Sequence, residues 1–170
     1  MKLTIAALLV LLVVAAEAQQ HQHGHSPYSG MQQRDIKALS NEQIADLRAG
    51  RGMGLALAAE LNGYPGPLHV LEIADRLQLT MEQKQRVQQL YEGMKGEAIA
   101  VGEKLIASER ELDREFASHT MTATRLRSLM AQIGEQQGEL RAVHLKYHIT
   151  TAELLSDDQK QRYAEVRGYH

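Results

Sequence analysis

The chain of 170 residues has no cysteine and no tryptophan, and it has one phenylalanine beside six tyrosines. Without cysteine it cannot form disulfides, so packing alone must stabilise the fold. The few aromatic residues predict a modest, aliphatic core. The lack of cysteine also excludes a cysteine nucleophile and a lipid-anchored form, which needs a cysteine after the apolar N-terminal run.

An excess of charge of either sign is also absent. The chain has 19 basic and 21 acidic residues, and its net charge is −2. No basic excess exists to displace the counterions of a phosphate backbone, which argues against nucleic acid as a partner.

Catalytic motifs are missing as well. The sequence contains no Gly-x-Ser-x-Gly elbow, no glycine-rich phosphate loop and no His-Glu-x-x-His phrase. His144 and His148 have the spacing of the zinc-protease phrase but lack its glutamate, which would act as the base. We therefore predict that the protein is not an enzyme.

The N-terminus resembles a secretory signal peptide. Lys2 supplies the positive charge, residues 3–16 are almost continuously apolar, and Ala16-Glu17-Ala18 is a small-x-small cleavage site. The apolar run of 14 residues is shorter than the roughly 20 that span a bilayer. Residues 1–18 are predicted to be a cleaved signal and the protein to be periplasmic; an uncleaved inner-membrane anchor is the alternative.

A polar stretch follows, and residues 19–38 are predicted to be a flexible arm. It carries His21, His23 and His25 at alternate positions. Imidazole suits Zn, Cu and Ni, so the arm could bind metal weakly; a solvated tail is the other interpretation.

Three phrases mark where helices begin: Leu39–Gln43, Leu79–Gln83 and Leu155–Gln159. Each reads Leu-Ser/Thr-x-x-Gln, which is a helix capping box preceded by a leucine that can act as a hydrophobic staple. The motif residues of the last two boxes are Leu79, Thr80, Gln83, Leu155, Ser156 and Gln159.

Two long amphipathic helices dominate the remainder. Apolar and small residues recur at threes and fours from Val87 to Phe116 and again from Leu126 to Leu154, with a break at residues 118–120. Such helices should form an antiparallel hairpin. Shorter helices are predicted from Ser40, over 55–61, over 68–77 and from Ser156 to about Val166, with a turn over 63–67.

The predicted fold is all-α, a hooked or cradle-shaped hairpin with short flanking helices in one domain over residues 39–170. Small or polar residues interrupt both apolar seams, at Ala98, Ser108, Gln137 and Thr151. A lone hairpin would bury too little apolar area, so the short helices or a second subunit must pack on it. We expect a homodimer.

The export signal, the hairpin and the boxes at its two ends resemble the Spy/CpxP family of periplasmic proteins, which includes the metal-associated CnrX and ZraP. The boxes at Leu79–Gln83 and Leu155–Gln159 are similar to the family's paired LTxxQ motifs. The resemblance covers about residues 68–166, and the first box, at Leu39–Gln43, is interpreted as independent capping.

The resemblance implies a dimeric protein of the envelope stress response. Some members hold unfolded proteins without ATP, others bind or sense divalent metal, and none is an enzyme. The expected partners are therefore unfolded envelope proteins or a membrane-bound regulatory protein. No cofactor is required, although Zn, Cu, Ni or Co could bind.

His144 and His148 lie four apart on one helix face, so both imidazoles could bind one metal ion. They stand where the resemblance places the His-x-x-x-Met phrase of the metal sensors, with His148 in the place of Met. A hairpin that turns near His119 predicts Glu92 and Met94 as their neighbours. The other interpretation is a hydrogen-bonded core histidine, His144, beside a surface histidine, His148.

His69 resembles the Leu-His phrase that donates a ligand in those sensors. Pro65 and Gln88 stand where the sensors have a histidine and an acidic ligand, so the implied ligand set is incomplete. His119 and His170 are predicted to be structural or inert. The methionines suit either core filling or an adaptable binding surface.

Overall fold

The structure, a computed structural model, describes residues 26–169, which form six α-helices and one short 3-10 turn, Met31–Gln33, without a β-strand. The helices are α1 (Asn41–Ala49), α2 (Leu57–Glu60), α3 (Pro67–Glu72), α4 (Met81–Ala117), α5 (Ala123–Leu154) and α6 (Asp157–Arg167). The all-α prediction is confirmed. Within the described residues, no helix combines the length and apolar character needed to cross a membrane.

Helices α4 and α5 form the predicted antiparallel hairpin. Helix α4 ends at Ala117, and His119 adopts a left-handed backbone conformation with φ of 57°, which a continuing helix does not allow. Across the hairpin, Glu97 Oε2 accepts a hydrogen bond from Lys146 Nζ at 2.6 Å, and Ser108 Oγ accepts one from Gln132 at 2.9 Å. These pairs show the register in which the two long helices pack.

All three predicted capping boxes are formed. In α1, α4 and α6 the N-cap hydroxyl accepts a hydrogen bond from the backbone N–H of the glutamine, whose side chain accepts one from the N-cap N–H. A capping side chain contributes about 1 kcal/mol to stability. The capping-box sequence thus marks the start of three of the six helices.

Two apolar cores lie along the hairpin. The larger joins α1 to the middle of α4 and α5, and its members include Ile44, Leu47, Met94, Val101, Leu105, Ile133 and Leu140. The smaller lies at the open end, where α6 and the segment before α4 meet, and contains Val70, Leu77, Leu79, Val87, Leu155 and Tyr163. The short helices therefore cover the thin seams of the hairpin.

Some boundaries differ from the prediction. Helix α3 ends at Glu72 instead of extending to residue 77, and Gln78 lies in the left-handed region with φ of 53°. The second short helix spans only Leu57–Glu60. The turns that replace these helical residues let Leu77 reach the smaller core.

The segment 31–38, which the sequence places in the flexible arm, packs on the hairpin. Ile36 is fully buried in the larger core, and Lys37 Nζ lies 3.0 Å from Asp113 Oδ2. Arg110 Nη2 lies 3.1 Å from Asp35 Oδ2. The packed part of the chain therefore begins before residue 39. The predicted signal peptide, His21, His23, His25 and His170 lie outside the described residues.

Candidate functional site

The two motif boxes that frame the hairpin are bonded to each other. Gln83 Nε2 donates to Gln159 Oε1 at 2.9 Å, and Gln159 Nε2 donates back to Gln83 Oε1 at 3.1 Å. Gln83 also donates to the carbonyl of Leu154, and Gln159 to that of Leu77. Both amides therefore cap their own helices and join the starts of α4 and α6. We call this pair the glutamine clasp.

Each of the two joined boxes begins with a leucine. Leu79 and Leu155 are both buried in the smaller core, as expected for hydrophobic staples. The structure thus brings the motif residues of the second and third boxes together, although they are separated by 76 residues in sequence. The first box, at Leu39–Gln43, caps α1 against the middle of the hairpin and has no part in the clasp.

A buried carboxylate beside the smaller core organises the turn between α2 and α3. Glu60 Oε1 accepts hydrogen bonds from the Tyr163 hydroxyl and, at 3.1 Å, from the Tyr169 hydroxyl. Glu60 Oε2 accepts one from the backbone N–H of Gly66 at 3.2 Å. A single buried side chain therefore ties the 60–66 turn to α6 and to the chain after it.

Two basic groups approach this carboxylate. His148 Nδ1 lies 3.6 Å from Glu60 Oε2, and Arg167 Nε lies 4.0 Å from Glu60 Oε1. Burial raises the pKa of Tyr163 well above its ordinary value, and the hydrogen bond to Glu60 raises it further. The phenol thus remains a donor to the carboxylate at neutral pH. Sequence reasoning missed Glu60, whose signal was an acidic residue within the apolar run from Leu55 to Leu61.

His148 is held in one orientation. Its Nδ1 lies 2.7 Å from the carbonyl oxygen of Tyr64, which can only accept, so Nδ1 carries the hydrogen. On the other side of the ring, a methyl group at residue 66 would lie 2.6 Å from Nε2. Glycine at 66 is therefore required for the turn to approach the imidazole.

His144 lies one helical turn before His148 and is 2% exposed. Its Nε2 is buried and has no hydrogen-bond partner within the described part of the chain. Burial lowers the pKa of His144, and the nearby His148 lowers it further. His144 is therefore a neutral imidazole whose buried Nε2 is unpaired within the described residues. The expected core partner for His144 is thus not found.

The other residues predicted as ligands or neighbours have contacts of their own. His69 Nδ1 donates to Glu72 Oε2 at 3.0 Å, and Glu92, expected near the histidine pair, accepts from Gln88 at 2.9 Å. Met94 is buried in the larger core. Among residues 26–169, no three histidine, aspartate or glutamate side chains are grouped to hold a metal ion. Metal binding by His144 and His148 stays a prediction.

Large apolar side chains are exposed around the turn that Glu60 organises. Leu57, Leu61, Tyr64 and Leu68 are 55%, 58%, 45% and 39% exposed. We call these four residues the apolar segment. The N–H of Gly66 is hydrogen-bonded to Glu60, and the carbonyl of Tyr64 is hydrogen-bonded to His148. These polar contacts hold the backbone of the apolar segment in place.

Comparison with known proteins adds no family: no family model, curated protein or solved structure matches the chain.

Proposed function

We propose that the protein is a Spy/CpxP-like periplasmic stress protein that holds unfolded envelope proteins without ATP. The hairpin, the paired motif boxes and the export signal in the sequence support this function. The observation that carries it is the apolar segment, with four large apolar side chains exposed within twelve residues.

Exposed apolar side chains of this size are sites of interaction when they are grouped. Leu57 begins α2 and Leu61 is its C-cap residue, four positions later, so the two lie one helical turn apart. Buried hydrogen bonds already hold the turn that carries these side chains. The backbone therefore loses little conformational entropy when a client binds. An unfolded chain offers apolar side chains without a fixed shape, and such a surface can receive them.

Light scattering by a chemically unfolded client tests the proposal. The wild-type protein should suppress aggregation at a several-fold molar excess in the absence of ATP. The double variant Leu57→Gln/Leu61→Gln should suppress it less, because the client loses apolar contacts. Since both side chains are exposed, the variant should keep the wild-type circular dichroism spectrum and melting temperature.

Phe116→Gln/Met130→Gln is the matched control, because these exposed apolar residues lie near the hairpin turn, away from the apolar segment. It should retain the suppression. Absence of suppression by the wild-type chain would refute the holdase function. An equal loss in both double variants would refute the assignment of the apolar segment.

Export and dimerisation belong to the same proposal. N-terminal sequencing of protein from the envelope fraction should begin at Gln19; a chain that retains residues 3–16 would favour a membrane-anchored sensor. Sedimentation equilibrium should give twice the mass of the mature chain, and a monomer mass at micromolar concentration would remove the dimer from the proposal.

A second candidate function, CnrX/ZraP-like sensing of or resistance to divalent metal, is favoured by the histidine pair. Histidines that bind metal commonly donate their other N–H to a backbone carbonyl, as His148 Nδ1 does to Tyr64. His144 has a lowered pKa, and its Nε2 has no hydrogen-bond partner among residues 26–169; a neutral imidazole with an available nitrogen is the state that binds metal. Zn, Cu, Ni or Co would suit imidazole ligands of this kind.

Calorimetric titration with each metal tests this second candidate. It should be made in a His21→Ala/His23→Ala/His25→Ala background, which removes the arm. In that background, His144→Ala/His148→Ala should abolish binding, and His119→Asn, a change in an exposed turn, should leave it unchanged. Identical isotherms for the background and the double variant would exclude this site.

A further inference from the structure

A groove of about 540 Å³ lies between α1, the loop over residues 53–55 and the hairpin. This volume is within the range of small-molecule sites. Six aliphatic side chains line it: Leu39, Leu47, Met53, Leu55, Leu105 and Leu140. No aromatic side chain is among its lining residues. The groove shares no residue with the apolar segment or the histidine pair.

Two glycines of α5 open one side of the groove. Gly134 and Gly138 are one helical turn apart, both line the groove, and a methyl group at either would meet no atom within 4 Å. Glycine within a helix costs up to about 1 kcal/mol relative to alanine. No close packing contact requires either glycine, and their effect is to leave space along the groove.

The groove has one charged lining residue, Arg141. Within residues 26–169 its guanidinium forms no ion pair. The residues three and four positions away on α5 are Gln137, Gly138, His144 and Leu145, none of which is acidic. The remaining polar lining groups are the amides of Gln43 and Gln137. Arg141 is thus a cation beside the aliphatic side chains that line the groove.

The aliphatic lining and the single cation together favour one class of ligand. A peptide would bring an N–H and a carbonyl for every residue, and the groove offers few polar groups to pair with them. An aliphatic chain has no such groups, and each buried methylene adds favourable transfer free energy. A carboxylate at the end of that chain matches the fork of a guanidinium, which can bind both oxygens.

We propose that this groove binds a free long-chain aliphatic carboxylate, with the chain along Gly134 and Gly138 and the head group on Arg141. The site goes beyond the holdase function and does not depend on it.

Displacement of a fluorescent long-chain fatty acid by hexadecanoate, below its micelle-forming concentration, tests the site. Binding should saturate at one ligand per chain. Affinity should increase by up to about fourfold for each methylene between decanoate and hexadecanoate. Hexadecanol, which lacks the charge, should bind at least tenfold more weakly.

Gly134→Leu/Gly138→Leu should weaken hexadecanoate binding at least tenfold, because the new side chains fill the groove. The helix should not be disrupted, since leucine is a better helix former than glycine and a Cβ at either position meets no atom within 4 Å. Gly96→Leu is the matched control: this α4 glycine also has nothing within 4 Å and lies outside the groove. It should bind hexadecanoate as the wild type does.

Arg141→Gln should weaken hexadecanoate about tenfold and leave hexadecanol unchanged, whereas Arg127→Gln, on the same helix and also exposed, should change neither. Two outcomes would overturn the proposal: equal binding by all variants, which indicates partitioning onto exposed apolar surface, or no displacement by hexadecanoate. Client aggregation measured on the same variants separates this result from the holdase function, because the groove variants should suppress aggregation normally.

Discussion

The hydroxyl of Tyr163 on α6 donates a hydrogen bond to the buried carboxylate of Glu60, which lies 103 residues earlier in the chain. Through this contact the last helix is joined to the turn that presents the apolar segment.

Replacement of Glu60 should destabilise the fold strongly. Glu60→Ala leaves the Tyr163 hydroxyl and the Gly66 N–H without their acceptor in a buried site, and we expect a loss of about 3 kcal/mol in the free energy of unfolding. Urea denaturation followed by circular dichroism measures it. Glu153→Ala on the exposed face of α5 is the control and should stay within about 0.5 kcal/mol of wild type. A similar small effect for Glu60→Ala would show that the contact is not stabilising.

Alkaline pH should destabilise the protein through Tyr163. Because the pKa of this phenol is raised in the folded state, the folded chain holds a proton that the unfolded chain loses above about pH 10. The free energy of unfolding should therefore decrease as pH rises above 10, with a contribution from this group of up to about 1.4 kcal/mol per pH unit.

The Tyr163→Phe variant should lose that contribution, so its unfolding free energy should depend less on pH above 10. The Tyr28→Phe change, at an exposed tyrosine, should leave the slope unchanged. Spectrophotometric titration should also show one fewer late-ionising tyrosine in Tyr163→Phe. Parallel curves for all three proteins would contradict this assignment.

Mild acid should destabilise the protein through His144. Its pKa is lowered in the folded state by burial and by His148, so the unfolded chain takes up a proton first as pH falls. The stabilising contribution is complete above the ordinary histidine pKa of about 6.5 and is lost as pH falls below it, by up to about 1.4 kcal/mol per pH unit. Denaturation at several pH values between 7.5 and 5 should show this decrease in the wild type and in His119→Asn. His144→Gln should show a smaller one.

Two glycines of α4 should respond to substitution in opposite directions. A methyl group at Gly102 would lie 2.7 Å from the backbone oxygen of Leu47, so Gly102→Ala should push α1 away and cost about 1–3 kcal/mol. A methyl group at Gly96 meets nothing within 4 Å, and Gly96→Ala should stabilise the helix by up to about 1 kcal/mol. Thermal melts of the two variants give the comparison directly. Equal shifts would mean that α1 does not pack closely on α4.

The sequence predicted the hairpin and the three helix starts well because those signals are local. A 3.6-residue apolar period identifies a long helix, and a capping box marks its first turn within five residues. The ends of α2 and α3 were less predictable: Gln78 takes a positive φ without being glycine, and packing of Leu77 and Leu79 into the smaller core accompanies that turn. Ile36 lies between Asp35 and Lys37 in a mostly polar stretch, so no apolar period indicated its burial.

The candidate site was predicted only in part. His144 and His148 share a helix face, as their spacing required, and both are buried. The neighbours of His148 were not predictable, because the carbonyl of Tyr64 and the carboxylate of Glu60 approach it through the path of the turn between α2 and α3. That path depends on contacts between residues more than 80 positions apart, which no local pattern encodes.

The glutamine clasp has a consequence for the order of folding. The hairpin turn lies at residues 118–122, and the clasp joins Gln83 to Gln159 at the opposite, open end. Because closing a long loop costs more chain entropy than closing a short one, contacts near the turn should form first and the clasp among the last. Substitutions in the clasp should then accelerate unfolding while barely changing the refolding rate. The paired motif would thus govern how long the native state persists more than how quickly it is reached.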